Sequence, residues 1–155
     1  MEISVLFDAI RNGDQPTVSQ LLKEHPSWVS EKDARGSTPL LLATYYGHEA
    51  IAKEILKHPQ NINEQDASGN TALMGVCFKG FDAIAKLLLE HDADVNMTNY
   101  NGATALIFSA TFNHLEIIEM LLQHGADKNV KDDRGNSALD HAKMQGASKV
   151  IEILE

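Results

Sequence analysis

Aliphatic side chains return along the chain at a fixed interval of 33 residues. Leu22, Ile55, Leu88, Leu121 and Leu154 form one such column, and Val18, Ile51, Ile84, Ile117 and Val150 form a second. A third runs Leu40, Leu73, Leu106 and Leu139. Polar and small positions keep the same register. Gly36, Gly69, Gly102 and Gly135 are followed two residues later by Thr38, Thr71, Thr104 and Ser137. Independent columns holding one register over most of the chain define an internal repeat.

The residues of one unit predict its elements. The four glycines close short polar tips: Asp33-Ala34-Arg35-Gly36, Asp66-Ala67-Ser68-Gly69, Asn99-Tyr100-Asn101-Gly102 and Asp132-Asp133-Arg134-Gly135. An Asx residue followed by Gly is tight-turn chemistry, because Gly takes positive φ without steric cost. The Thr or Ser that follows suits a helix N-cap, where its hydroxyl accepts an orphan backbone N–H. A helix of about eight residues then runs to Gly47, Gly80, Asn113 or Gly146, which accept a left-handed stop. A second helix carries the aliphatic columns at helical spacing, as in Ile84, Leu87 and Leu88. Pro26, Pro59 and Gly125 end three of these second helices.

The units fall at about residues 1–32, 33–65, 66–98, 99–131 and 132–155, five in one domain spanning 1–155. Both end units differ from the rest. The first has no polar tip: Ser4, Leu6 and Ala9 stand where Thr38, Leu40 and Ala43 do, at an offset of 34, which places one extra residue in Asp14-Gln15-Pro16-Thr17 between the two helices. In the last unit Asp140, His141 and Lys143 replace the apolar or small residues at the matching positions. A stack of repeats needs water-tolerant outer faces at its ends, so both units are expected to be caps and the protein to be self-contained.

Gly69-Asn70-Thr71-Ala72-Leu73 and Leu87-Leu88-Leu89-Glu90-His91-Asp92-Ala93-Asp94-Val95-Asn96 resemble the ankyrin repeat, whose pattern starts G-x-T-P-L and ends L-L-x-x-G-A-D-x-N. The likeness covers nearly the whole chain. It implies an all-α repeat solenoid of five stacked helix-turn-helix units joined by short β-hairpin-like turns. Only Thr38-Pro39-Leu40 keeps the proline, with Ala72, Ala105 and Ala138 elsewhere. The family's His after that Leu is replaced by Leu41, Met74, Ile107 and Asp140, which removes a hydrogen bond usual in the family.

Composition narrows the function. The chain of 155 residues is 43% apolar and 23% charged, ordinary for a globular protein. Its formal charge of −9 repels phosphate backbones, so neither nucleic acid nor an anionic membrane is the expected partner. No stretch reaches the ~18 uninterrupted apolar residues of a membrane span. The start Met1-Glu2-Ile3-Ser4 lacks a basic leader segment, and the single Cys77 has no internal disulfide partner. A cytoplasmic monomer is the expectation.

Groups that could carry chemistry each have a simpler structural reading. His25, His58, His91 and His124 form a fourth column. A metal needs ligands about 2 Å from one centre, whereas helices of adjacent units pack ~8–10 Å apart. One imidazole per layer instead suits the free carbonyls at the end of a second helix. Cys77 aligns with Thr44 and Ala110 and reads as a packing residue, with no basic partner beside it. Gly75-Val76-Cys77-Phe78-Lys79-Gly80 has the composition of a phosphate loop without its order, and Asn96-Met97-Thr98 matches a glycosylation sequon only by chance. No carboxylate pair falls at a catalytic spacing. The sequence therefore predicts no enzyme, no cofactor and no metal.

The resemblance implies a protein-binding surface formed by the turn tips and the exposed sides of the first helices. Carried onto this chain, its positions include Arg35, Tyr45, Tyr46, Phe78, Lys79, Tyr100, Asn101, Phe112 and Arg134. Five of the nine aromatic residues fall there. Aromatic side chains give large contact area at low entropic cost. Phe78 and one of Tyr45 and Tyr46 are expected to fold back into packing, with Phe7, Trp28, Phe81 and Phe108 in the core or beneath the first unit. A partner protein with an apolar knob flanked by acidic groups would match these rings together with Arg35, Lys79 and Arg134. The alternative is an acidic inhibitor or immunity-type protein that blocks a basic enzyme or toxin. Deleting residues 132–155 tests the capping expectation: the shortened chain should aggregate in light scattering, and a stable monomer would refute it.

Overall fold

A computed structural model describes residues 2–155. Five helices form a first row: α1 (Ser4–Arg11), α3 (Pro39–Tyr45), α5 (Ala72–Lys79), α7 (Ala105–Thr111) and α9 (Ala138–Gln145). A second row alternates with them: α2 (Gln15–Glu24), α4 (Glu49–Leu56), α6 (Asp82–Glu90), α8 (Leu115–Gln123) and α10 (Ser148–Leu154). Each helix packs against its partner in the pair and against the matching helix of the next pair. The result is a helical solenoid.

The N-caps are the ones the repeat predicts. Thr38, Thr71, Thr104 and Ser137 accept from the backbone N–H of Leu41, Met74, Ile107 and Asp140. Each such cap contributes about 1 kcal/mol. At Ser137 the Asp140 carboxylate also reaches back to the cap N–H, which completes a capping box. The first pair departs from the pattern. Ser4 lies inside α1, whose N-cap is Ile3 with no side-chain bond. The extra residue of this unit also sits elsewhere than expected. Asp14 caps α2 by accepting from Thr17 N–H, so Gln15, Pro16 and Thr17 belong to the first helical turn rather than to a connector. Pro16 is tolerated there because first-turn N–H groups have no intrahelical partner.

The aliphatic columns make one continuous core. Leu22, Ile55, Leu88 and Leu121 are fully buried, as are Val18, Ile117 and Val150. Leu40, Leu73 and Leu106 are buried, whereas Leu139 in the last pair is only partly so, because no further helix covers α9. Cys77 lies wholly within this core, and desolvation pushes its thiol far above the usual range, which leaves it inert. Phe7 is buried, and Trp28 and Phe81 are partly buried against the core.

No residue is in a strand among the described residues. The tips are instead closed turns. In each, Asp33, Asp66, Asn99 or Asp132 donates its N–H to the carbonyl of Ser37, Asn70, Ala103 or Asn136. The same four side chains accept two further backbone N–H groups apiece through Oδ1, from Arg35 and Ser37 in the first tip and correspondingly in the others. Two backbone hydrogen bonds tie neighbouring tips, from Tyr100 N–H to Ser68 O and from Asp133 N–H to Asn101 O. On the second row, Asn63 and Asn96 accept from the N–H of Asp94 and Asp127 in the following unit.

The histidine column divides. His91 and His124 each place Nδ1 on a carbonyl of their own helix, at 3.0 Å from Leu87 and 2.8 Å from Met120. His25 instead stacks on Trp28 with ring centroids 4.0 Å apart. At His58 the carbonyl of Ile55 is taken by the Gln60 amide at 2.8 Å.

First-row helices stop as expected, at Gly47, Gly80, Asn113 and Gly146 with positive φ. Asp92 also has positive φ, 63°, directly after α6, where the matching residue after α8 is Gly125. A Cβ is strained in this region, and a negative charge is unfavourable at a helix C-terminus. Asp92→Gly should therefore stabilise the protein by about 1 kcal/mol and raise Tm by about 2–4 °C. A thermal melt with an unchanged or lowered midpoint would contradict this.

Candidate functional site

First-row helices are only seven or eight residues long, so one face of each packs against its partner helix and the other meets solvent between the tips. A groove of about 630 Å³ opens on that exposed face, centred on α3 and α5 and the tips that precede them. Leu42, Tyr45 and Tyr46 line it from α3, Met74, Gly75 and Phe78 from α5, and Phe108 from α7. Asp33, Arg35 and Asp66 line it from the tips.

All nine positions carried over from the family are exposed, and the structure brings several of them together. Tyr45, Tyr46, Phe78 and Phe112 keep between 41% and 47% of their surface, and Tyr100 keeps 67%. The expectation that Phe78 and one of the Tyr45/Tyr46 pair fold back between repeats is therefore not met. The rings lie along the surface and pack on one another. Phe78 meets Phe112 edge-on with centroids 4.7 Å apart, and Tyr45 meets Tyr46 at 6.0 Å. Such edge-to-face pairs are favourable because the positive ring edge meets the negative face. The Lys79 ammonium sits 4.5 Å from the centre of the Tyr45 ring, a cation–π contact.

Tyr100, Asn101 and Arg134 stand apart from the groove lining. The Tyr100 ring lies across Gly69, so close that a Cβ there would be 2.7 Å from it. Asn101 and Arg134 are tip residues that extend the exposed face toward the last pair. His48 and His114 sit at the N-caps of α4 and α8, and their rings stack against Tyr46 and Phe112.

Much of the lining lies outside the positions carried over, Phe108 and Arg11 among it. Phe108, expected in the core, is only partly buried and forms a wall of the groove beside Phe78, 6.2 Å away. It belongs to a column 33 residues apart, Leu42, Gly75 and Phe108, all three of which line the groove. Arg11 bridges Asp8 and Asp33, at 3.2 Å to each. Only the first half of that bridge, an i,i+3 pair on α1, has a sequence signal.

A family model described as "Ankyrin repeats (3 copies)" matches residues 6–99, 54–132 and 93–155. The chain belongs to the ankyrin repeat family, whose members are generally protein–protein interaction modules. No match to a curated protein was found. No helix among the described residues is long and apolar enough to cross a membrane.

The far end of this face carries a pH dependence. Burial pushes the Asp132 carboxyl upward, but N–H donation from Asn136 and Arg134 and the His141 ring at 2.7 Å outweigh it and hold the group below the usual range. Donation from the Ser137 N–H and hydroxyl lowers Asp140 in the same direction. A carboxyl lowered in the folded state stabilises above its unfolded value, about 3.9, and that contribution is lost as pH falls through the folded value. Acidification from pH 6 to 3 should therefore loosen α9 and α10 before α5 to α8. Amide exchange corrected for intrinsic rates would show this, and uniform loss of protection would contradict it.

Proposed function

We propose that the protein binds a partner protein through the concave face made by the tips and first-row helices. The observation that carries this reading is the exposed aromatic stripe. Tyr45, Tyr46, Phe78, Tyr100 and Phe112 all present rings to solvent on that face, although the core beneath is filled by aliphatic residues. Exposed aromatic clusters of this kind are interaction surfaces more often than packing. The partner sets an apolar knob on the rings and acidic groups near Arg35 and Lys79. Neither cation is engaged in an ion pair among the described residues.

A second reading, an acidic blocker of a basic enzyme or toxin, draws on the charge of −9 and on crowded carboxylates of the second row. The neighbouring Asp82 carboxylate on α6 pushes the Glu116 carboxyl on α8 upward, a sign of concentrated negative field. Contact through that field loses on-rate steeply with salt, whereas contact through the rings does not.

The test is affinity capture from the native cell, read by mass spectrometry, with the intact protein and with Tyr46, Tyr100 and Phe112 replaced together by Ala. If each ring contributes about 2 kcal/mol, the captured partner should lose several kcal/mol of affinity. Unchanged affinity in a folded variant would move the site to the second row. Repeating the measurement across salt concentrations separates the two readings.

A further inference from the structure

Within the groove the repeats can be compared position by position, and one of them lacks a partner that the others have. The tip residues Asp33, Asp66, Asn99 and Asp132 are structurally equivalent, since each uses Oδ1 to accept the same two backbone N–H groups. The second side-chain atom of each is left for other partners. In the groove Asp33 Oδ2 pairs with Arg11 at 3.2 Å, and in the last unit, outside the groove, Asp132 Oδ2 pairs with His141 at 2.7 Å. The Asn99 amide donates to Asn70 Oδ1 at 2.9 Å. Asp66 alone has no cation or donor on Oδ2 among the described residues.

The reason lies in the two positions that supply these partners. Arg11 corresponds to Tyr45 in the unit that faces Asp66, and His141 corresponds to Gly75. A glycine inside a helix costs about 1 kcal/mol relative to Ala, so the chain carries this notch at a loss of stability. Steric need does not explain it. A Cβ on Gly75 would meet only Tyr45 Cδ1, at an ordinary 3.9 Å. The space left open is bounded by Tyr45, Phe78 and Phe108 and has the Asp66 carboxylate in its lining. Arg35 lines the same groove but makes no ion pair with Asp66.

We infer that the notch at Gly75 receives an arginine side chain of the partner protein, whose guanidinium takes the place on Asp66 that Arg11 and His141 fill in the other units. The chemistry is complementary in each part. The planar guanidinium stacks on aromatic faces and donates in a fork that a carboxylate accepts. The rings exclude water around the pair and add cation–π attraction. The surplus charge of −9 favours the approach of a guanidinium. This rests on the concave-face reading and adds one specified residue to its partner, beside the apolar knob.

The experiment titrates the ¹⁵N-labelled full chain with N-acetylarginine amide, its uncharged isostere N-acetylcitrulline amide, and N-acetylnorleucine amide. The arginine probe should give saturable shifts at Asp66, Gly75 and Phe78 and bind about tenfold more tightly than the citrulline probe. Asp66→Asn should reduce it to the citrulline level. That variant keeps the tip, because Asn99 makes the same two Oδ1 bonds in the next unit. Gly75→His should also abolish the shifts, by supplying from within the chain the imidazole that His141 gives Asp132. Equal or tighter binding of norleucine, equal binding of citrulline, or retention of the arginine shifts in Asp66→Asn would overturn the inference. If capture of the partner depends on Tyr46, Tyr100 and Phe112 but not on Asp66, the concave-face reading stands and the arginine pocket falls.

Discussion

The burial of aliphatic columns between successive helix pairs is the interaction on which the rest of this structure depends. A single pair has too little apolar surface to exclude water from both its sides. Leu22, Ile55, Leu88 and Leu121 reach full burial only because each is covered by neighbours from the adjoining unit. At ~25 cal/mol per Å² of buried apolar surface, this stacking is the main favourable term. It also fixes the spacing of everything else. Once the columns are in register, tips and first-row helices must recur at equal intervals along one face.

That regularity allows most of the tip chemistry to be handled locally. Each Asx side chain satisfies backbone N–H groups of its own turn, and the Thr or Ser after it caps the helix that follows. With those obligations met within a few residues, the remaining tip and helix positions are released from structural duty. They can carry rings, cations or nothing at all. Phe112 and Lys79 occupy one equivalent position in successive units, which a packing requirement would not permit.

The groove shows where stability has been set aside. Four rings stay more than two-fifths exposed around it, Gly75 weakens α5, and Asp66 keeps a carboxylate oxygen without a cation. Each is unfavourable for the isolated chain. Together they form one continuous surface, and this gathering of departures from local consistency is what the proposed binding face rests on. The last unit shows the contrasting solution, in which His141 and the Ser137–Asp140 capping box satisfy the equivalent groups internally.

The sequence alone determined the period, the helix pairs, the hydroxyl caps and the left-handed stops, because each depends on residues a few positions apart or on columns that repeat. The family's contact positions also picked out Tyr45, Tyr46, Phe78, Tyr100 and Phe112, all of which are exposed. The depth at which each ring sits was not legible. Phe78 stays exposed because its neighbours are Phe108 and Phe112 of the next unit, a contact across 30 or more residues. For the same reason Phe108 was placed in the core, and the Arg11–Asp33 pair and the Asn63 and Asn96 bonds between units gave no signal. The extra residue of the first unit was misplaced because a proline reads as a break, although the first turn of α2 accepts it. Tertiary structure decided how equivalent positions face one another across the stack. Only that arrangement reveals that Asp66 lacks the partner that Arg11 gives Asp33 and His141 gives Asp132, since the absence is a property of Gly75 and Tyr45 lying opposite it and not of Asp66 itself.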